Sequence, residues 1–234
     1  MEMKICHLYP DVLNLYGDVG NLTAIKKRLE WRGMGCSVSP VKLGEKADFS
    51  GFDLIFIGSG REEEQKILAH DLIENKAEAL RIAAEAGCAI LAIGGGMELL
   101  GHYIELSDGG RVEGAGVLDM HSVGAGTRRT GNYMFDTPWG TVVAFENHSG
   151  STYLAEGTEP LGKTLCGYGN RGEGREGARY KNVFASYGHG PLLPKNPALC
   201  DAIIMAALGL EELAPLDDSA ELRAHDYMAE RLKG

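Results

Sequence analysis

Cys88-Ala89-Ile90-Leu91-Ala92-Ile93-Gly94-Gly95-Gly96-Met97-Glu98-Leu99-Leu100-Gly101 is the stretch whose reading sets the fold. Its first six residues are an apolar run of buried-strand length, three glycines follow, and Met97 onward reads as a helix start. A strand that turns sharply into a helix is the grammar of a nucleophile elbow. There a Ser or Cys stands clear of the sheet, and the next backbone N–H can face an oxyanion. Residue 94 holds that position, and it is glycine. The elbow is legible, but the side chain that would do the chemistry is missing.

Outward from this point, residues 4–8 read as a first strand, 21–32 as an amphipathic helix, and 36–41 and 53–57 as short strands. Residues 62–86, rich in Ala, Glu, Lys and Leu, form one long helical pattern leading into the buried strand. Strands alternating with helices predict an α/β fold with a central, mostly parallel sheet flanked by helices. From about residue 109 to 187 the texture changes. Gly-rich turns separate short runs at 112–118, 140–145 and 182–186, which predicts a strand-rich second half forming one wall of a site. Residues 196–208 are helical again, and 220–233 form a charged amphipathic segment. The division expected is a domain over 1–209 and a C-terminal helical tail over 210–234, which packs on the domain or docks to a partner.

The 234 residues, 44% of them hydrophobic, suffice for one substantial core. A formal charge of −10, with no long Lys/Arg cluster, argues against a nucleic-acid partner. The N-terminal residues lack the apolar segment of a secretory signal, and no run approaches the roughly 18 apolar residues that span a bilayer, so a cytoplasmic location is expected. Cysteines 6, 36, 88, 166 and 200 are odd in number, scattered and without CxxC spacing. They read as reduced, mostly buried small residues, with neither a disulfide framework nor a metal site.

Three features are placed to supply chemistry. Gly58-Ser59-Gly60 follows the 53–57 strand, so its N–H groups lie at the carboxyl end of the sheet, where open α/β sheets bind ligands; a plain tight turn is the competing reading. His189, in Tyr187-Gly188-His189-Gly190-Pro191, reads equally as a general base or as a satisfied structural imidazole. Arg128 and Arg129 form a basic pair in an expected loop, suited to a carboxylate or simply solvated. A strand-Gly94-Gly95-Gly96-helix anion cradle is the alternative reading, as a phosphate or nucleotide site. It lacks both the Lys-Ser/Thr of a P-loop and the acidic residue of a dinucleotide site.

Residues 7–18 (His7-Leu8-Tyr9-Pro10-Asp11-Val12-Leu13-Asn14-Leu15-Tyr16-Gly17-Asp18), Phe145-Glu146-Asn147-His148, Gly167-Tyr168-Gly169-Asn170 and the nine residues from His189 to Pro197 carry a more specific resemblance. From about residue 4 to 209 the chain resembles class I, cobyric-acid-synthase-like glutamine amidotransferases, and within them the amidotransferase subunits of lipid II isoglutaminyl synthase. The resemblance implies a three-layer class I glutamine amidotransferase fold. It implies glutamine as substrate and a heterodimer with a Mur-ligase-like subunit (MurT). That partner would hold ATP and Mg, no cofactor residing in this chain, and would amidate D-glutamate of the lipid II stem peptide with the ammonia released. In such enzymes a Cys attacks the amide, a His moves the proton and backbone N–H groups hold the oxyanion. Here those roles fall on Gly94 (the nucleophile position), on His189, and on Gly60 with Gly95. Arg128 matches the arginine that grips the α-carboxylate of glutamine, while Glu62, Glu64 and Gln65 match a polar segment of unassigned role.

The departures are equally specific. Where the family reads Cys-Gly-Gly-Tyr-Gln, this chain reads Gly94-Gly95-Gly96-Met97-Glu98. No thioester can form, so the chain as written is expected to be inactive as a thiol enzyme. The changes at Met97 and Glu98 favour natural divergence of the loop over a single engineered replacement. Cys88, six residues upstream on the same strand, is roughly 20 Å away at about 3.3 Å per residue. The triad acid expected two residues after His189 is Pro191. Glu146, Asp18 or a carboxylate of the partner remain to orient the imidazole, and the partner is the favoured source. A non-catalytic regulatory subunit of the same complex and a cobyric-acid-type amidotransferase are the alternatives.

Overall fold

The computed structural model describes residues 1–233. Its first half contains β1 (Glu2–Leu8), α1 (Gly20–Trp31), β2 (Gly35–Val41), β3 (Leu54–Ile57), α2 (Glu62–Asn75), α3 (Ala77–Glu85), β4 (Ala89–Ile93) and the short α4 (Gly95–Leu99). Strands β5 (Tyr103–Glu105), β6 (Arg111–Glu113), β7 (Met120–Thr137), β8 (Gly140–Leu154), β9 (Gly162–Cys166) and β10 (Arg175–Glu176) follow. The chain ends with β11 (Ala178–Tyr180), β12 (Val183–Ser186), β13 (Gly188–His189), α5 (Pro197–Leu208) and α6 (Ser219–Lys233).

One sheet runs β11-β12-β4-β3-β1-β2, all parallel except the edge strand β11. Every residue of β3 and β4 is buried, as a parallel sheet covered on both faces requires. The alternation of side chains sorts the two cores. Ile55, Ile57, Ile90 and Ala92 pack with Leu68, Leu72 and Leu80 of α2 and α3. Leu54, Phe56, Leu91 and Ile93 pack with Leu22, Ile25 and Leu29 of α1 and with Ile203 and Ile204 of α5. The chain is thus an α/β fold of three layers about a mostly parallel sheet.

The second half builds a separate, largely antiparallel sheet around the long β7–β8 hairpin. From β12 the chain crosses to this second sheet through Tyr187 alone, because β13 pairs with β8. That crossing brings His189 to the carboxyl ends of β3 and β4. Helix α6 lays Ala229 against Met134 and Val143 of the hairpin. The segment before α6 is held by Arg28, which pairs with Asp201 (2.6 Å) and Asp218 (2.5 Å), and by Arg32, which donates to the Ala214 carbonyl at 2.6 Å. Among the described residues no helix is long and apolar enough to cross a membrane.

Four expectations are corrected. The single helix over 62–86 is two, broken at Lys76 (φ −133°), whose buried ammonium donates to Asp71 and to the Glu45 carbonyl, each at 2.5 Å. The 112–118 run is strand only to Glu113. Ala115 and Val117 then donate to the carbonyls of Leu99 and Leu100 instead of to a neighbouring strand. The 140–145 strand extends to Leu154, its polar second half being paired with β7. Arg128 and Arg129 lie on β7, not in a loop, beside a register shift between Gly124 and Arg129 that the glycines permit.

Candidate functional site

A cleft of about 510 Å³ opens where the two sheets meet, lined by Tyr16, Gly60, Glu62, Gly94, Arg128 and His189 among others. Gly94 sits between β4 and α4 at φ 52°, ψ −119°, a conformation that side chains strain to adopt. Its neighbours are glycine for a second reason. A Cβ on Gly95 would stand 2.2 Å from the Gly60 carbonyl oxygen, and one on Gly96 would stand 2.3 Å from that of Gly58. The two glycine loops therefore pack backbone to backbone. That close approach accounts for Gly95 and Gly96 without an anion cradle.

His189 is buried, and its Nδ1 lies 3.2 Å from Asp18 Oδ1. The other oxygen of Asp18 accepts the Ser59 N–H at 3.0 Å, so one buried carboxylate fixes both the imidazole and the glycine loop. This arrangement removes the need for an acid from a partner, the source favoured on sequence grounds. Glu146 is committed elsewhere: its carboxylate accepts the Tyr168 and Gly169 N–H groups (2.9 and 3.0 Å) and faces His148 at 3.6 Å. Burial pushes the Glu146 carboxyl up, but these donors outweigh it and hold the group below the usual carboxylate range. The ring of Tyr16 meets His189 edge-on, with centroids 5.0 Å apart.

The basic pair separates. Arg128 lines the cleft, donating to Asn147 Oδ1 at 2.6 Å and to the Tyr16 hydroxyl, whereas Arg129 lies over the Tyr168 ring, 4.1 Å from its centroid. Of the polar segment 62–65, Glu64 caps α2 by accepting the Arg61 N–H at 2.7 Å. Glu62 accepts the Ser107 hydroxyl at 2.6 Å on the cleft wall, and Gln65 donates to the Gly95 carbonyl (3.1 Å) and to Glu98 (2.7 Å). Glu98 is buried, and desolvation raises its carboxyl above the usual range despite the bonds from Gln65 and Tyr187.

Sequence reasoning passed over Ser59 as a side chain. Its hydroxyl accepts the Gly95 N–H at 3.1 Å, and it stands 2.4 Å from the point that a Cβ at residue 94 would occupy. His189 Nε2 is 3.0 Å from the same point. The flanking glycines were the signal, since a lone residue between them at a strand end is held there by close backbone packing. Among the described residues no cysteine lines the cleft, and burial pushes the Cys6 and Cys200 thiols up to about 12 and that of Cys88 up to about 11. Of the five cysteines, Cys6 and Cys200 are buried and Cys36, Cys88 and Cys166 only partly so.

Residues 4–197 match the CobB/CobQ-like glutamine amidotransferase domain. The lipid II isoglutaminyl synthase (glutamine-hydrolyzing) subunit GatD of Staphylococcus aureus is 36% identical over 98% of this chain and 96% of its own. The corresponding GatD of Streptococcus pneumoniae is 37% identical over 88% of this chain and 81% of its own. Among solved structures, a glutamine amidotransferase from Thermotoga maritima superposes with a TM-score of 0.55 at 11% identity, covering 99% of this chain and 95% of its own. The Thermotoga maritima PurLQS structure gives 0.53 at 16% identity, covering 89% and 99%.

Proposed function

This chain belongs to the CobB/CobQ-like glutamine amidotransferase family, and from that membership we propose that it is the glutamine-site subunit of a lipid-II-amidating complex. Its partner is a Mur-ligase-like subunit that holds ATP and Mg and transfers ammonia to D-glutamate of the stem peptide, in the cytoplasm. The observation carrying the reading is the convergence of Arg128, Gly60, Gly95 and His189 on one cleft around the elbow at Gly94. Arg128 grips the α-carboxylate of glutamine as a fork of N–H donors. The carboxamide then extends toward His189, whose imidazole is held by Asp18.

Glycine at the elbow closes the thioester route. A non-catalytic reading is supported by that same residue: the subunit then shapes or regulates the ligase, which draws on free ammonia. Reconstituting the chain with the ligase subunit, ATP and lipid II, and supplying either glutamine or an ammonium salt, separates the two. Amidation from glutamine at a rate above background supports the glutaminase reading. Amidation from ammonium alone, dependent on this chain, supports the non-catalytic one, and no effect of the chain on amidation contradicts both.

A further inference from the structure

Ser59 occupies the space that a side chain at residue 94 would fill. Its Oγ is 2.4 Å, and His189 Nε2 is 3.0 Å, from the position of a Cβ there. Nε2 lines the cleft without a hydrogen bond among the described residues, while Nδ1 is held by the buried Asp18. An imidazole anchored through one nitrogen and open at the other is what a general base requires. The hydroxyl accepts from the Gly95 N–H, so its own proton remains free to be donated, although it forms no hydrogen bond to His189 among the described residues.

A second strand-to-helix turn lies beside the elbow, without the positive φ of Gly94. Strand β3 ends at Ile57, Gly58-Ser59-Gly60 turns, and α2 begins at Glu62. Gly58 admits nothing larger, because a Cβ there would lie 2.2 Å from the Leu13 carbonyl oxygen, whereas one on Gly60 would lie 2.6 Å from Leu13 Cδ2, a side-chain end that would have to move. Gly60 lines the cleft, and its N–H donates to no protein acceptor among the described residues. The N–H of the residue after a nucleophile is the donor that such elbows use for an oxyanion.

We propose that Ser59 is the nucleophile of this site, with His189 as its base and Asp18 as the residue that positions the imidazole. The proposal rests on glutamine being the substrate, as above. Ser59 Oγ bonds to the carboxamide carbon of glutamine while its proton passes to His189 Nε2, and the Gly60 N–H faces the oxyanion. The carbon–nitrogen bond then breaks, His189 returns the proton to the nitrogen, and ammonia leaves a γ-glutamyl ester on Ser59. Water attacks the ester and gives a proton to His189. The carbon–oxygen bond breaks, the proton returns to Ser59 Oγ, and glutamate departs.

The test uses the full chain, alone and with the ligase subunit, treated with a fluorophosphonate probe and mapped by mass spectrometry. An adduct on Ser59 is expected in the wild type, and none in Ser59→Ala or His189→Ala. Ammonia release from glutamine should fall at least about 100-fold in Ser59→Ala. Folding of each variant is checked by its melting curve. Ser59→Cys keeps a nucleophile in place and is expected to be alkylated at residue 59 by 6-diazo-5-oxo-L-norleucine. An unlabelled Ser59 together with an unreactive Ser59→Cys would overturn the proposal and leave Ser59 as a filler of the space beside Gly94. Calorimetry with L-glutamine on the same samples keeps the two readings apart. Glutamine binding without labelling defeats only the serine nucleophile, whereas labelling without glutamine binding removes glutamine as the substrate and the functional reading with it.

Discussion

Restoring a thiol at the elbow by Gly94→Cys should destabilise the protein, and the structure gives the size of the effect. Residue 94 has φ 52°, a region that costs a non-glycine residue roughly 1–3 kcal/mol. The new Cβ would also stand 2.4 Å from Ser59 Oγ and 2.8 Å from His189 Cε1, so the hydroxyl must rotate away and the imidazole must shift. Rotation sacrifices the Ser59 bond to the Gly95 N–H, worth about 1 kcal/mol. The total is about 2–4 kcal/mol, a fall in Tm of roughly 4–16 °C for a chain of this size. Ser59→Ala alone should cost about 1 kcal/mol, for the same lost bond. In the double variant that cost has already been met, so the two changes should couple favourably by about 1 kcal/mol or more. Urea unfolding of the four proteins measures the coupling. Additivity within roughly 0.5 kcal/mol would refute the steric link between residues 59 and 94.

Removing the ammonium from the buried Lys76–Asp71 pair with Lys76→Ala should cost about 3–5 kcal/mol in denaturant unfolding, because Asp71 would remain buried without its counter-charge. Asp18→Ala deprives both the Ser59 N–H and His189 Nδ1 of a buried acceptor, and about 2–4 kcal/mol of stability should disappear with it. Glu98 has a raised folded-state pKa, so the native state holds a proton that the unfolded chain gives up first. Its contribution to stability is therefore largest in acid and declines as pH rises from the unfolded carboxylate value, about 4.3, toward the raised folded value. Glu98→Gln should flatten that part of the stability–pH profile, and an unchanged slope would show that the carboxyl is not held protonated.

The parallel core was legible because β3 and β4 are short apolar runs bounded by glycine, and burial on both faces leaves no polar residue to confuse the pattern. The break at Lys76 was not, since Lys is a good helix former and only the tertiary pull of Asp71 and the Glu45 carbonyl turns it inward. Strand β7 escaped notice for the opposite reason. Its Gly124, Gly126 and Gly131 and its two arginines read as loop, and pairing with β8 overrides that local preference. At the site, His189 and Arg128 stood out as chemistry-bearing residues between glycines. Asp18 was one acid among several, because its partner lies 171 residues away in sequence. Ser59 reads from the sequence as part of a turn, and only the geometry reveals that its hydroxyl stands 2.4 Å from where a Cβ at residue 94 would lie.

The most direct measurement is calorimetric titration of L-glutamine into the full chain and into Arg128→Ala. Arg128 is exposed on the cleft wall, so its removal should leave the melting temperature nearly unchanged. Loss of a charge-assisted bond to the α-carboxylate, worth about 1.5–3 kcal/mol, should weaken binding by roughly 10- to 150-fold. One glutamine per chain, weakened by that factor in the variant, is the expected result; absence of binding, or equal affinity in the two proteins, would contradict a glutamine site at this cleft.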